Sequence, residues 1–152
     1  HTNIELSSKR KKMATNISTI HIKVSPEKVW DTLTKPELVK LWQYGSELTT
    51  NGKVGDDIRF KTAWEDKIFE QWGKLLEIKP NELLRYSLFA PRPGLEDKPE
   101  NYFEMNYVLS AENDGTKLVI LQIDNRPGAK QEEPQGEENP VLQLLKQTAE
   151  SL

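Results

Sequence analysis

Two proline-marked helix starts lie within Ser25-Pro-Glu-Lys-Val-Trp-Asp-Thr-Leu-Thr-Lys-Pro-Glu-Leu-Val-Lys-Leu-Trp42, and no other stretch restricts the fold as tightly. Ser25 is placed to accept from the free backbone N–H groups of a first turn. Pro26 follows at the first helical position, where a missing donor costs nothing. Pro36 would interrupt that helix, while Thr34 and Glu37 have the spacing of a capping box for a second one. The expectation is two short helices with a tight joint. Val29, Trp30 and Leu33 share a face of the first, and Leu38, Leu41 and Trp42 a face of the second, so both must lie against a larger apolar surface.

Alternating segments supply that surface. In a strand over 16–24, Ile20, Ile22 and Val24 face one way and Thr19, His21 and Lys23 the other, toward water. A short β-prone run over 46–50 precedes Asn51-Gly52, a hairpin signal, and Ile58, Phe60 and Thr62 then alternate with polar neighbours. A longer strand over 68–78 has mixed parity. Ile68, Trp72 and Leu76 oppose Phe69 and Leu75, and Gly73 marks a bulge or bend that changes the phase. Residues 83–89 set Leu84, Tyr86 and Leu88 together, and residues 102–110 do the same for Phe103, Met105, Tyr107 and Leu109. After the turn Asn113-Asp114-Gly115, residues 116–123 are apolar on both faces.

Two irregular stretches break this run: 90–101, with its prolines, and 124–139, rich in Pro, Gly, Gln and Glu, which reads as mobile. Asn139-Pro140 then repeats the cap-plus-proline device. Val141, Leu142, Leu144, Leu145, Thr148, Ala149 and Leu152 follow on a broad apolar helix face. The order predicts an α+β fold: a curved antiparallel sheet of six to seven strands around a long C-terminal helix, with two short helices after the first strand.

With 152 residues the chain has the length of a single domain, taken as 13–152 behind a tag remnant or disordered extension over 1–12. Four basic residues and one acid lie within 1–12, which leaves the remainder of this net −3 chain at −6. So acidic a domain is a poor nucleic-acid binder, since phosphate must be met by a basic surface. No segment approaches the roughly 20 apolar residues of a membrane span, and with no apolar secretory segment at the start a cytoplasmic location is expected.

The element order, the Ser25–Trp42 phrase, Lys53-Val-Gly-Asp-Asp-Ile-Arg-Phe60, Gly73-Lys-Leu-Leu-Glu-Ile-Lys-Pro80, Leu83-Leu-Arg-Tyr86 and Gly115-Thr-Lys-Leu118 together resemble the START-like (START/Bet v1-like) helix-grip superfamily. Within it, they look like the branch related to the activator of Hsp90 ATPase. The resemblance covers about residues 14–152 and implies a sheet gripping the C-terminal helix over a cavity for a small apolar or amphipathic molecule. The superfamily also holds polyketide cyclases and co-chaperones, so the scaffold alone does not choose a function. The eukaryotic co-chaperone has an N-terminal domain with an Asn- and Trp-rich activating motif to which nothing here corresponds. At Glu138-Asn-Pro140 many relatives have an aromatic residue.

The chemistry-bearing residues agree with binding better than with catalysis. There is no cysteine, and His21, the one histidine beyond residue 1, faces water, so neither a Cys/His or Ser/His nucleophile pair nor a metal site is expected. Adjacent acids such as Asp56-Asp57 and Glu65-Asp66 fall in turns. Glu104 is the in-strand candidate base, outward by its parity with Phe103 and Met105. The expected ligand-binding residues are Trp42, Phe60, Trp72, Tyr86, Phe103 and Met105 on the sheet side, with Leu142 and Leu145 on the helix side and the loops 90–101 and 124–139 near the entrance. The leading expectation is a non-enzymatic domain that binds a small hydrophobic ligand without a cofactor. The alternatives are an Hsp90-directed interaction module and a cyclase-like enzyme.

Overall fold

The computed structural model describes residues 14–152, so the expected remnant or extension over 1–12 lies outside the described residues. In chain order the elements are β1 (Ala14–Ile22), α1 (Pro26–Thr34), α2 (Pro36–Trp42), β2 (Glu47–Thr50), β3 (Asp57–Trp64), β4 (Lys67–Lys79), β5 (Leu83–Leu88), a single helical turn at Pro99–Asn101, β6 (Phe103–Glu112), β7 (Gly115–Asp124) and α3 (Pro140–Glu150). Seven strands form one curved sheet in the order β1-β7-β6-β5-β4-β3-β2, with antiparallel neighbours throughout. This is the expected α+β grip. No described helix is long and apolar enough to cross a membrane.

The paired helices form where their prolines place them, but the caps differ from those read in the sequence. Ser25 closes the first turn with its backbone carbonyl, which accepts from Lys28 N–H (3.1 Å) and Val29 N–H (3.2 Å), while its hydroxyl caps nothing. The Thr34–Glu37 capping box does not form. Pro36 occupies the first turn of α2, so Lys35 is the residue before it and Thr34 still belongs to α1, where its hydroxyl donates to Trp30 O at 2.7 Å. Lys35 serves both helices: its N–H donates to Asp31 O, and its carbonyl accepts from Leu38 and Val39. The second stripe also differs. Val39 and Trp42 are buried, whereas Leu41 is 56% exposed. The indole Nε1–H of Trp42 donates to Thr32 O at 2.8 Å in the interior, which fixes the rotation of α2 against α1 and turns Leu41 outward.

Alternation decides the rest of the core. Ile20 and Ile22 are buried on β1 while His21 points out to Glu112 (Nδ1 to Oε1, 2.8 Å). The outer edge of β1 is closed by the segment after β7 rather than left open. Thr19 N–H donates to Gln135 O and Gln135 N–H to Ile17 O, while the Gln131 amide accepts from Thr15 N–H and donates to Thr15 O. The stretch 124–139, read as mobile, is therefore laid along a strand edge that would otherwise present unpaired backbone groups.

The phase change in β4 occurs at Leu76, where the register with β5 shifts between Leu75 and Glu77. Leu75 is buried, Leu76 is exposed, and Ile78 packs on the core with the opposite parity. Gly73 lies before the bulge and has a different role: a Cβ there would fall 1.8 Å from Ser87 O of β5. Gly73→Ala is accordingly expected to destabilise the fold by about 2 kcal/mol or more through forced separation of β4 and β5. Urea unfolding measures this, and a midpoint equal to wild type would contradict it.

The terminal helix is capped as expected, Asn139 Oδ1 accepting from Val141 N–H (2.9 Å) and Leu142 N–H (3.4 Å). It has 11 residues and buries Leu142, Leu145, Thr148 and Ala149. Its closest approaches are to α1, α2 and β1, and a space lined by residues of β3 to β7 is left between it and the rest of the inner face.

Candidate binding cavity

That uncovered inner surface is a cavity of about 460 Å³. Its floor is aromatic. Phe60 from β3, Tyr86 from β5 and Tyr107 from β6 form a row with ring centroids 5.7 and 5.9 Å apart. The two phenol oxygens meet at 3.1 Å. Burial pushes both tyrosine pKa values up from their ordinary value, so these groups remain neutral hydroxyls at any physiological pH. Leu88, Phe103, Met105 and Ile120 continue the sheet wall, and Trp42, Val141 and Leu142 form the helix side.

Polar groups are placed around this lining. Gln43, Gln71, Gln122 and Asn139 contribute amides, and Ser18, Ser46 and Thr62 contribute hydroxyls. Ser46 donates to Gln43 O at 2.8 Å and lies 2.7 Å from the Thr62 hydroxyl. No carboxylate, histidine, lysine or arginine is among the described residues that line the cavity. A second cavity of about 180 Å³ lies beyond Phe60 and Tyr86, which border both, and is walled by Trp30, Leu33, Leu48, Ile58, Leu75 and Leu84.

Of the residues expected at the site, Trp42, Phe60, Tyr86, Phe103, Met105 and Leu142 line the larger cavity together, and Trp72 and Leu145 do not. Leu145 is fully buried in the core. Trp72 alternates with Gln71 and Gly73 and so takes the other face of β4. There Arg59 of β3 sits 5.6 Å from its ring centroid and Phe89 packs at 5.5 Å. Its indole N–H donates to Asp97 Oδ2 (2.9 Å), and the Tyr102 hydroxyl donates to Asp97 Oδ1 (2.6 Å). The loop 90–101, expected at the entrance, contributes no residue to the cavity wall and is instead clasped to Trp72. Of 124–139, Asn139 reaches the wall. Glu104 points outward, as its parity predicts, where Arg85 Nε donates to it at 3.1 Å.

Tyr44, Thr62, Phe69 and Gln71 line the cavity without having been singled out. For Thr62 the signal was its parity with Phe60, and for Phe69 and Gln71 their parity with Leu75. Tyr44 had none, because it follows a helix end with a φ of 51°, outside any period.

The match to known proteins follows this architecture. Residues 23–152 match the family model described as Activator of Hsp90 ATPase homolog 1-like protein. The chain belongs to that family. No curated protein matches it. The solution structure of ChR145 from Cytophaga hutchinsonii is similar at 31% identity, covering 76% of this chain and 77% of that one with a TM-score of 0.62. Two more distant likenesses concern the fold alone. The crystal structure of NE0264 from Nitrosomonas europaea is 18% identical over 91% of this chain and 95% of its own, with a TM-score of 0.71. That of Ara h 8.0201 is 14% identical over 92% and 99%, with a TM-score of 0.67. These neighbours share the fold described above, a curved antiparallel sheet around a C-terminal helix.

The clasp has a definite pH dependence. The hydrogen bond from Tyr102, with a second from Trp72, holds the Asp97 carboxyl below its ordinary range. A carboxylate with a depressed folded-state pKa contributes stability that is present above the unfolded value of about 3.9 and lost as pH falls through the folded value. Hydrogen-exchange protection of residues 90–101 should therefore decline below about pH 4 in wild type. In Asp97→Asn it should be weaker at neutral pH and lack that acid step. Equal protection in both proteins at pH 7 would rule the clasp out.

Proposed function

We propose that this family member binds a small neutral molecule, largely apolar with limited polarity, in the cavity between its sheet and its terminal helix. The observation that carries this reading is the lining itself: aromatic and aliphatic side chains with scattered hydroxyls and amides and, among the described residues, no charged group. The volume of about 460 Å³ lies within the range of about 300–1,000 Å³ usual for ligand pockets. A charged ligand would lose its hydration there without meeting an opposite charge, which disfavours it strongly. Acid–base catalysis lacks a titratable group of suitable pKa in the wall, so binding is favoured over turnover.

The cavity takes precedence over an Hsp90-directed role because it is a built feature of this chain, whereas the chaperone relation comes with the family's description. Nile red, a neutral dye whose emission rises in apolar surroundings, is expected to bind saturably with one site per chain. Met105→Trp fills the space beside the aromatic floor and should weaken the dye at least about tenfold, the equivalent of about 1.4 kcal/mol, with the melting temperature retained. Non-saturable binding, or equal affinity in Met105→Trp, would overturn the proposal.

A further inference from the structure

The hydroxyl groups of the cavity differ in one respect that bears on what enters it. A hydroxyl has one hydrogen to donate. Ser46 spends its hydrogen on Gln43 O, so the 2.7 Å contact with Thr62 is made by the Thr62 hydrogen, and that pair is complete. Tyr86 and Tyr107 have only each other among the described residues, at 3.1 Å. One O–H of the two donates across the contact, and the other has no acceptor among the described residues. Both phenols are at least nine-tenths buried, at 3% and 4% exposure, and both line the cavity. A buried donor without an acceptor is costly, while an under-used phenol lone pair costs less, so the pair presents a net demand for an acceptor.

The surroundings limit what that acceptor belongs to. A carboxylate would satisfy the donor, but among the described residues no cationic side chain lines the cavity to offset its charge. An alcohol or primary amide would bring hydrogens of its own beside Phe60, Phe103 and Leu88, whose side chains offer no acceptor. A ketone, ester or lactone oxygen accepts and brings none. Its apolar body would then lie along Met105 and Leu142, with any second polar group toward the amides of Gln43 and Gln71.

We propose that the Tyr86–Tyr107 pair is an acceptor-reading subsite, and that the natural ligand is a neutral, mainly apolar molecule bearing a ketone- or ester-type carbonyl that takes the spare phenolic hydrogen. This rests on the reading of the cavity as a ligand site and specifies its chemistry.

Isothermal titration with three probes of one shape tests it: methyl naphthyl ketone, ethylnaphthalene and naphthoate, each against wild type, Tyr86→Phe, Tyr107→Phe and the double variant. The ketone is expected to bind wild type about tenfold tighter than the hydrocarbon, the effect of one buried hydrogen bond, and tighter than naphthoate. The double variant should bind ketone and hydrocarbon alike, losing the ketone-to-hydrocarbon ratio, an outcome that a purely structural role for the tyrosines, which would weaken both probes together, would not produce. The contrast within wild type needs no variant to fold. Equal binding of ketone and hydrocarbon, an advantage that survives in the double variant, or naphthoate as the tightest probe would each overturn the inference while leaving the cavity reading intact. Absence of binding by all three would overturn both.

Discussion

A helix about 10–12 Å across cannot cover the inner face of a sheet whose seven strands, spaced as usual, extend roughly 29 Å. Most of what is specific to this protein depends on that mismatch. The terminal helix takes the side of the sheet near β1, held there by Leu145 and Ala149 in the core and by its contacts with α1 and α2. The remaining inner surface must be filled by large side chains, capped by something else, or left open. Here Phe60, Tyr86 and Tyr107 fill part of it as a row of rings, and the pair α1–α2 caps part of it. A cavity remains between them. The hydrogen bond from Trp42 to Thr32 O makes this partition definite, since it fixes where the second short helix ends and which ring closes the helix side.

Much of this was legible in the sequence because the signals were periodic. The alternation of Phe103, Met105, Tyr107 and Leu109 placed one wall correctly, and Asn139-Pro140 located the start of the terminal helix at its true cap. What failed did so where a local rule met a tertiary one. Thr34 and Glu37 have capping-box spacing, yet a proline in the first turn of α2 makes Lys35 the boundary residue. Leu41 fits an apolar stripe, yet the anchoring of Trp42 rotates it into solvent. Trp72 has the residue type of a cavity wall but the parity opposite to Leu75, and parity decides its face. Its partner Asp97 lies in a loop whose path no period describes.

Family membership and chemistry inform different levels of the account. The helix-grip scaffold supports many functions, and the family's name refers to one of them. The cavity of this chain is more specific than its fold: among the described residues no charged side chain lines it, hydroxyls and amides stand at defined places, and two phenols share a single contact. Gly73 and the Leu76 bulge belong to the same design, since they bring β4 close to β5 and reset its phase, so that Phe69 and Gln71 face the cavity upstream and Ile78 faces the core downstream.

The proposed ligand site is the space between the sheet and the terminal helix. Methyl-resolved NMR during titration with methyl naphthyl ketone addresses it directly. The account predicts saturable shifts, with intermolecular NOEs, at the methyl groups of Met105, Ile120 and Leu142, and small changes at Val119 and Leu121 on the opposite face of β7. Shifts concentrated on Val119 and Leu121, or no NOE to Met105 or Leu142 at saturation, would contradict it.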